Sequence, residues 1–163
     1  MTDKDLLDGK NILIVDDEAD VLETLAELLS VCDITKAASF NEARELLETR
    51  HFDIAILDIM GVGGYKLLKI ATEQKVMTVM LTANALSPED TVKSYLEGAS
   101  YYIPKEEMAT INTFLKDVLE AKEKGKSPWH RWLERFASYY DNRFGPNWRD
   151  TDKDFWKKFN YYV

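Results

Sequence analysis

Short apolar runs alternate five times with longer stretches of helical period between Asn11 and Lys124. The short runs are rich in β-branched residues, whereas the longer stretches repeat their apolar residues at spacings of three and four. This alternation predicts an α/β domain in which helices cover both faces of a parallel sheet. The predicted strands are residues 11–15, 33–36, 53–57, 76–81 and 100–103. The first, third and fourth are continuous apolar runs and are therefore expected at the centre of the sheet.

Helix signals lie in the segments between the predicted strands. Ser39 with Glu42 three residues later predicts a capping box, and Ser87 followed by Pro88 predicts an N-cap with proline at the first helical position. Met108 and the apolar residues that follow it at helical spacing are expected to face the sheet. The predicted helices include residues 20–30, 40–49, a segment from Pro88 that Gly98 ends, and 106–124.

Composition excludes several classes of protein. The chain of 163 residues is 45% hydrophobic and 31% charged, as expected of one globular domain with an appended segment. A single cysteine, Cys32, and two histidines exclude a disulfide scaffold and a structural zinc site. The charged N-terminus and the lack of any run of about 20 apolar residues argue against a signal peptide or membrane span, so a cytoplasmic location is expected.

Charge and aromatic residues divide the chain near Gly125. Residues 1–124 carry 13 basic against 24 acidic residues, a net charge of −11, whereas residues 125–163 carry 8 against 5, a net charge of +3. All four tryptophans lie in the second part. We therefore expect a domain over residues 1–124 and an aromatic-rich helical segment over residues 125–163, called the C-terminal extension below.

The C-terminal extension is expected to form two helices. Ser127 and Pro128 predict the start of the first, Gly145 and Pro146 its end, and Asp150 or Thr151 the cap of the second. The apolar stripe of the first helix comprises Trp129, Trp132, Leu133, Phe136, Tyr139 and Tyr140; that of the second comprises Phe155, Trp156, Phe159 and Tyr162.

A segment of 39 residues is too short to form a stable hydrophobic core by itself, so its apolar stripe must pack against another surface. The sequence allows four such surfaces. The stripe could pack on its own domain, form a homodimer or downstream-protein interface, stack on nucleic acid, or lie on a membrane surface. The net charge of −8 for the whole chain makes nucleic acid an unfavourable partner, and neither helix has a basic recognition face.

Polar side chains follow the predicted strands at their carboxyl ends. Asp16, Asp17 and Glu18 follow the first strand, Asp58 the third, Thr82 the fourth and Lys105 the fifth. In the flavodoxin-like strand order 2-1-3-4-5, the first and third strands are neighbours, and ligands bind beyond their carboxyl ends. Asp16, Asp17 and Asp58 would then converge, and their mutual repulsion requires a divalent cation, the Lys105 ammonium, or both. Mg²⁺ is the simplest solution.

Four sequence segments at these strand ends carry a resemblance. They are Asn-Ile-Leu-Ile-Val-Asp-Asp-Glu at 11–18, Ala-Ile-Leu-Asp-Ile-Met at 55–60, Leu-Thr-Ala at 81–83 and Gly-Ala-Ser-Tyr-Tyr-Ile-Pro-Lys at 98–105. Together, over about residues 9–124, they resemble the receiver domain of bacterial two-component response regulators.

The resemblance implies that Asp58 accepts a phosphoryl group from a phosphohistidine on a sensor histidine kinase or histidine phosphotransfer protein. It further implies that Asp17, Asp58 and the backbone carbonyl of Met60 hold Mg²⁺, with Asp16 acting largely through the water shell of the ion. Lys105 would neutralise one phosphoryl oxygen. Such a protein is a switch that signals through protein contacts, with no turnover of small substrates.

The resemblance also implies how the switch works. Thr82 would hydrogen-bond a phosphoryl oxygen, and Tyr102, at the position of the switch aromatic of the family, would turn inward into the space that Thr82 leaves. The sequence departs from the family pattern at two places. The loop 60–64 is short and lacks a proline, and Pro104 precedes Lys105, where the family has a proline after the lysine. The sequence leaves the cis or trans state of Ile103–Pro104 open.

Two alternative functions remain at this point. The first is a receiver-like scaffold that is never phosphorylated, and the retained Asp58, Thr82 and Lys105 argue against it. The second is a Mg²⁺-dependent phosphohydrolase on a related α/β fold. The commonest motif of such enzymes has a second aspartate two residues after the first, and Met60 stands at that position.

Overall fold

The computed structural model describes residues 5–83 and 88–162, with the side chains of residues 151 and 158–162 outside the described set. Its five strands are β1 (Asn11–Val15), β2 (Asp33–Ala37), β3 (Ile54–Asp58), β4 (Met77–Thr82) and β5 (Tyr101–Pro104). All neighbouring strands pair in parallel, in the order β2-β1-β3-β4-β5. The predicted α/β fold with strand order 2-1-3-4-5 is therefore confirmed.

The helices are α1 (Ala19–Leu28), α2 (Phe40–Thr49), α3 (Gly64–Glu73), α4 (Pro88–Leu96), α5 (Ile111–Glu123), α6 (Trp129–Phe144) and α7 (Lys153–Tyr162). Short 3₁₀ helices span Lys105–Thr110 and Trp148–Asp152. Helix α1 packs beside α5 and α2 beside α3, so helices cover both faces of the sheet. Among the described residues, no helix has the length and apolar character needed to cross a bilayer.

Burial follows the predicted order of the strands. Every residue of β3 is buried, as are Ile12, Leu13 and Ile14 of β1, each with 0% exposure. In contrast, β2 buries only its last residue, Ala37, as expected of a strand at the sheet edge. The continuous apolar runs therefore do form the centre of the sheet.

The predicted capping box at α2 is present. The Ser39 hydroxyl accepts a hydrogen bond from the Glu42 backbone N–H at 3.2 Å, and the Glu42 carboxylate accepts one from the Ala38 backbone N–H at 2.8 Å. The predicted cap Ser87 lies outside the described residues. Pro88 is the first residue of α4, as the sequence predicts.

The start of the helix predicted over residues 106–124 is wrong. Residues Lys105–Thr110 form a 3₁₀ helix and α5 begins only at Ile111, although Met108 is half-buried and does pack against the core as predicted. The tighter winding lets Lys105 reach back to the carboxyl ends of the strands before the chain turns into α5.

The predicted cap of the second helix in the C-terminal extension is also wrong. Helix α7 begins at Lys153, so its N-cap position is Asp152, whose carboxylate accepts a hydrogen bond from the Phe155 backbone N–H at 3.2 Å. The reason is the 3₁₀ helix that contains Trp148, whose buried indole holds this turn in the core and delays α7. The side chains of Phe159 and Tyr162, predicted on the stripe of α7, lie outside the described set.

The C-terminal extension packs on its own domain, which was one of the four placements left open. The indole N–H of Trp129 donates to the Ala99 carbonyl at 2.9 Å, and that of Trp132 donates to the Tyr102 carbonyl at 2.8 Å. Helix α6 thereby covers the open edge of the sheet at β5. The stripe residues Trp129, Trp132, Phe136 and Tyr140 are buried in one core that is continuous with the sheet.

Candidate functional site

The centre of the site is built by two neighbouring strands. Asp16 follows β1 directly and has 0% exposure, while Asp58 is the last residue of β3 and has 4% exposure. Because Val15 is paired with Leu57 in the β1–β3 ladder, the next residues, Asp16 and Asp58, leave the sheet side by side. Two buried carboxylates therefore share the carboxyl edge of the sheet.

Lys105 supplies a positive charge between these carboxylates. Its Nζ lies 2.8 Å from Asp16 Oδ2, 3.5 Å from Asp58 Oδ1 and 3.3 Å from Glu18 Oε1. Its side chain is 12% exposed, so the ion pairs with the buried Asp16 and Asp58 are largely shielded from water, whereas the pair with the exposed Glu18 is not. The Ile103–Pro104 bond is trans, since no peptide bond in the described residues is cis. The strand end and the 3₁₀ helix thus bring Lys105 into the site without a cis proline.

The remaining acidic residues form the outer part of the site. One oxygen from each of Asp16, Asp17 and Glu18 lies within 4.8 Å of the other two. Asp17 and Glu18 are exposed, and Asp58 reaches this group through the Lys105 ammonium. The sequence analysis placed Glu18 in the acidic triplet but gave it no role at the site. Its position directly after Asp17, on the turn into α1, is the signal that could have identified it.

Gly61 lies against Asp17. Its φ of +81° is left-handed, and a Cβ atom at this position would lie 2.6 Å from Asp17 Oδ2. A larger residue would therefore require both backbone strain and displacement of the carboxylate. Met60, the preceding residue and a predicted carbonyl ligand, has a side chain that is 64% exposed.

The electrostatics of the site make Asp58 harder to ionise than an ordinary aspartate and keep Lys105 charged. Burial, together with the nearby negative charges of Asp16 and Asp17, raises the pKa of Asp58 from 3.8 to about 6, although Lys105 opposes this shift. Burial also disfavours the ammonium of Lys105, but hydrogen bonding and attraction from Asp16 and Asp58 outweigh it and raise the Lys105 pKa. The site thus holds more negative charge than one lysine neutralises.

The donor atoms present fit a hard divalent cation. Carboxylate oxygens are the ligands that Mg²⁺ and Ca²⁺ prefer. Asp16 Oδ2 is buried and lies 2.8 Å from Lys105 Nζ, and the ammonium occupies one of the two lone pairs of this carboxylate oxygen. This oxygen therefore retains a lone pair that could face a cation. Asp16, Asp17 and Glu18 meet the distance requirement for a shared ion.

Thr82 lies at the strand end next to the acidic group, whereas Tyr102 lies further back in β5, three residues before Lys105. Thr82 is the last residue of β4, has 5% exposure and pairs in register with Pro104, which adjoins Lys105. Tyr102, expected to turn inward from the surface, has 0% exposure and already belongs to the buried core. Helix α6 adds to its burial, since Trp132 bonds its carbonyl.

Comparison with known proteins decides which family has this arrangement. The sequence model of the response regulator receiver domain matches residues 12–116, which include Asp16, Asp58, Thr82 and Lys105. The chain belongs to this family. The C-terminal extension lies outside the matched range.

Individual relatives agree with the family match. The transcriptional regulatory protein YvrH of Bacillus subtilis is 28% identical over 127 residues, which are 72% of this chain and 54% of YvrH. The heme response regulator HssR of Staphylococcus saprophyticus is 36% identical over 99 residues, covering 57% of this chain and 43% of HssR. The chain thus spans about half the length of these curated relatives.

Solved structures show the same fold. A CheY-like response regulator receiver domain protein from Methanospirillum hungatei is 28% identical, with a TM-score of 0.65 over 72% of this chain and 98% of that one. The receiver domain of the Francisella response regulator 1452 is 21% identical, with a TM-score of 0.62 over 70% of this chain and 99% of that one.

The family assignment fixes the general function of this receiver. It is the response regulator receiver domain of a two-component system, a class that interacts with histidine kinases or phosphotransfer proteins. Receiver domains typically bind Mg²⁺ at their acidic site, and this chain has such an acidic cluster. They are generally not turnover enzymes.

Proposed function

We propose that this receiver is a phosphorylation-dependent switch in which Asp58 accepts a phosphoryl group from the phosphohistidine of a sensor histidine kinase or phosphotransfer protein. The observation that carries this proposal is the meeting of Asp16, Asp58 and Lys105 at the carboxyl ends of β1 and β3. A carboxylate beside a lysine, at the edge of an acidic group, is suited to in-line phosphoryl transfer.

In the proposed reaction, an oxygen of the ionised Asp58 attacks the phosphorus atom. A phosphorus–oxygen bond forms to Asp58 while the phosphorus–nitrogen bond breaks, and the electron pair of that bond stays on the histidine of the donor. Lys105 neutralises charge on one phosphoryl oxygen, and the Thr82 hydroxyl donates a hydrogen bond to another. Since the site already positions these groups, little reorganisation is required.

The residues proposed to hold Mg²⁺ are Asp17, Asp58 and the backbone carbonyl of Met60, with Asp16 acting through the water shell of the ion. When bound, the ion offsets negative charge on the acceptor and phosphoryl oxygens. The negative charges of Asp16 and Asp17 would attract the cation. The Lys105 ammonium would offset part of the remaining negative charge at the site.

The proposed output is a change in protein contacts. Thr82 and Tyr102 are the proposed switch residues, and residues 1–124 and 125–163 are proposed to serve as phosphoacceptor unit and C-terminal extension, respectively. The place of action is proposed to be the cytoplasm, where the phosphodonor domains of sensor kinases lie.

Intact mass spectrometry after incubation with acetyl phosphate and Mg²⁺ tests the proposal. The wild type is expected to gain the mass of one phosphoryl group, and Asp58→Asn is expected to gain none. Asp33→Asn is the matched control, because Asp33 is an exposed aspartate at the amino end of β2, away from the site. A wild type that gains no phosphate, or an Asp58→Asn variant that gains as much, would favour a scaffold that is never phosphorylated.

A further inference from the structure

The C-terminal extension covers one particular face of the receiver, formed by α4, β5 and α5. On α4, the hydroxyls of Thr91 and Tyr140 are hydrogen-bonded, and the ring of Tyr95 lies 5.5 Å from that of Trp129, edge to face. This face is therefore occupied by a segment of the same chain.

An ion pair fixes α6 on α5. Asp117 is buried, and its carboxylate accepts two hydrogen bonds from the Arg135 guanidinium, one of them at 3.0 Å from Nη2 to Oδ1. The Tyr101 hydroxyl of β5 donates to the same carboxylate at 2.9 Å. Because a buried carboxylate without its partners is costly, this contact makes the position of α6 specific.

Residues 102–106 contact both the acidic site and the C-terminal extension. Lys105 binds Asp16 and Asp58, as described above. Its neighbour Glu106 accepts a hydrogen bond from the Tyr139 hydroxyl and lies 3.7 Å from Nη1 of Arg143. At the other end of this stretch, the Tyr102 carbonyl accepts the Trp132 hydrogen bond. A shift of Lys105 thus acts on a stretch of chain that also makes three contacts to α6, one through the Tyr102 carbonyl and two through the Glu106 side chain.

We propose that phosphorylation of Asp58 loosens the C-terminal extension from the α4–β5–α5 face, through residues 102–106. The inference rests on the proposed function, since it requires Asp58 to accept a phosphoryl group. The extension would then act as a built-in cover that hides this face in the unphosphorylated protein.

The direction of the coupling follows from the charges at the site. In the docked state, Lys105 is held by Asp16, Glu18 and Asp58. A phosphoryl group brings a charge of about −1.5 to −2 and three strong acceptor oxygens, which compete for the ammonium. Movement of Lys105 toward these oxygens displaces the adjoining Glu106, whose contacts to Tyr139 and Arg143 hold α6. By linkage, a loosened extension must in turn favour phosphorylation to the same degree.

Tryptophan fluorescence reports on the extension alone, because all four tryptophans of the chain lie in it. They are Trp129, Trp132, Trp148 and Trp156, and each is at most 3% exposed. Quenching by acrylamide should therefore be weak in the unphosphorylated protein. After incubation of the full chain with acetyl phosphate and Mg²⁺, we expect quenching to rise in proportion to the phosphorylated fraction, read by intact mass on the same sample. Mg²⁺ alone, and Asp58→Asn under the same treatment, should leave quenching low.

Glu106→Gln tests the reverse direction of the coupling. Glu106 is exposed, so the substitution leaves the fold intact, but it removes the charge that binds Arg143. We expect stronger quenching before phosphorylation and, at a limiting concentration of acetyl phosphate, a phosphorylated fraction raised by up to about fivefold, because an exposed ion pair is a weak contact. The matched control is Glu48→Gln, which removes a charge from an exposed ion pair with Arg44 on α2, away from the extension, and should behave as the wild type.

The outcomes separate this inference from the proposed function. Phosphate gain without a rise in quenching would overturn the inference and leave the proposed function standing. Absence of phosphate gain would overturn both. Equal behaviour of Glu106→Gln and Glu48→Gln would also contradict the inference, since residues 102–106 would then not transmit the change.

Discussion

Asp58 is held in an environment that opposes its own ionisation. It is buried beside Asp16 and near Asp17, and only the Lys105 ammonium counters this repulsion. Sequence reasoning found all four of these residues, because strand ends can be read from apolar runs and parallel strands end at one edge. It gave no role to Glu18, whose contact with Lys105 depends on the 3₁₀ path of residues 105–110. In the sequence, a 3₁₀ helix of this length has no apolar pattern that distinguishes it from the first turns of an α-helix.

The stability of the protein without metal should depend on the ionisation of Asp58. Because its pKa is raised in the folded state to about 6 from 3.8, folding favours the protonated carboxyl. The contribution of Asp58 to the stability of the wild type should therefore be lost as pH rises from about 4 to above 6, by at most about 3 kcal/mol. Asp58→Asn lacks this titration and should be the more stable protein at neutral pH, with the difference shrinking toward pH 4. Urea unfolding in chelator across this pH range measures it.

Mg²⁺ provides the control for this pH effect. Binding of a cation to the ionised site should raise the stability of the wild type at neutral pH more than that of Asp58→Asn. If wild type and Asp58→Asn were equally stable at neutral pH without metal, the buried, repelled state of Asp58 described here would be wrong.

Gly61→Ala should weaken Mg²⁺ binding. The new methyl group would lie 2.6 Å from Asp17 Oδ2 and must displace that carboxylate. Gly9→Ala is the matched control, because Gly9 also has a positive φ, +71°, but has no atom within 4 Å of the added Cβ. Both variants should lose stability of about 1 kcal/mol from backbone strain. Only Gly61→Ala should require more Mg²⁺ in an isothermal titration, and equal affinities of the two variants would contradict the placement of Asp17 in the site.

At the scale of elements, local signals predicted helix starts where a side chain caps the backbone. Residues 40–49 were predicted as a helix from Ser39 and Glu42, and α2 has these bounds. The starts of α5 and α7 were missed because a 3₁₀ helix precedes each of them. Tertiary contacts determine where these two 3₁₀ helices form: Lys105 lies in the acidic site and Trp148 in the core. Local helix propensity carries no information about such contacts.

The cap of α2 provides a test at this scale. Ser39→Ala removes the acceptor for the Glu42 backbone N–H and should lower the free energy of unfolding by about 1 kcal/mol. Thr49→Ala at the other end of α2 removes only an exposed hydroxyl that bonds the Glu45 carbonyl, and should change it by less than about 0.5 kcal/mol. Urea unfolding of both variants measures the difference. Phosphorylation by acetyl phosphate should be unchanged in both, because α2 contributes no side chain to the site.

At the scale of the whole molecule, the sequence left the place of the C-terminal extension open. Its amphipathic pattern predicted that an apolar stripe must be covered, and its charge of +3 against −11 favoured the acidic domain as the cover. Pattern and net charge do not select a face, however. The selection depends on single contacts across distant parts of the chain, such as Arg135 with Asp117 and Trp132 with the Tyr102 carbonyl. These contacts place the extension over β5, next to the strand end that carries Lys105.

The central claim for the whole molecule is that one buried carboxylate, at the end of β3, receives the phosphoryl group. Borohydride reduction of the protein treated with acetyl phosphate and Mg²⁺, followed by peptide mass mapping, locates the acyl phosphate directly, since reduction converts that aspartate to homoserine. The account predicts homoserine at position 58 and unchanged aspartates at positions 16 and 17. Homoserine at position 16 or 17, or at no position in a fully recovered digest, would contradict it.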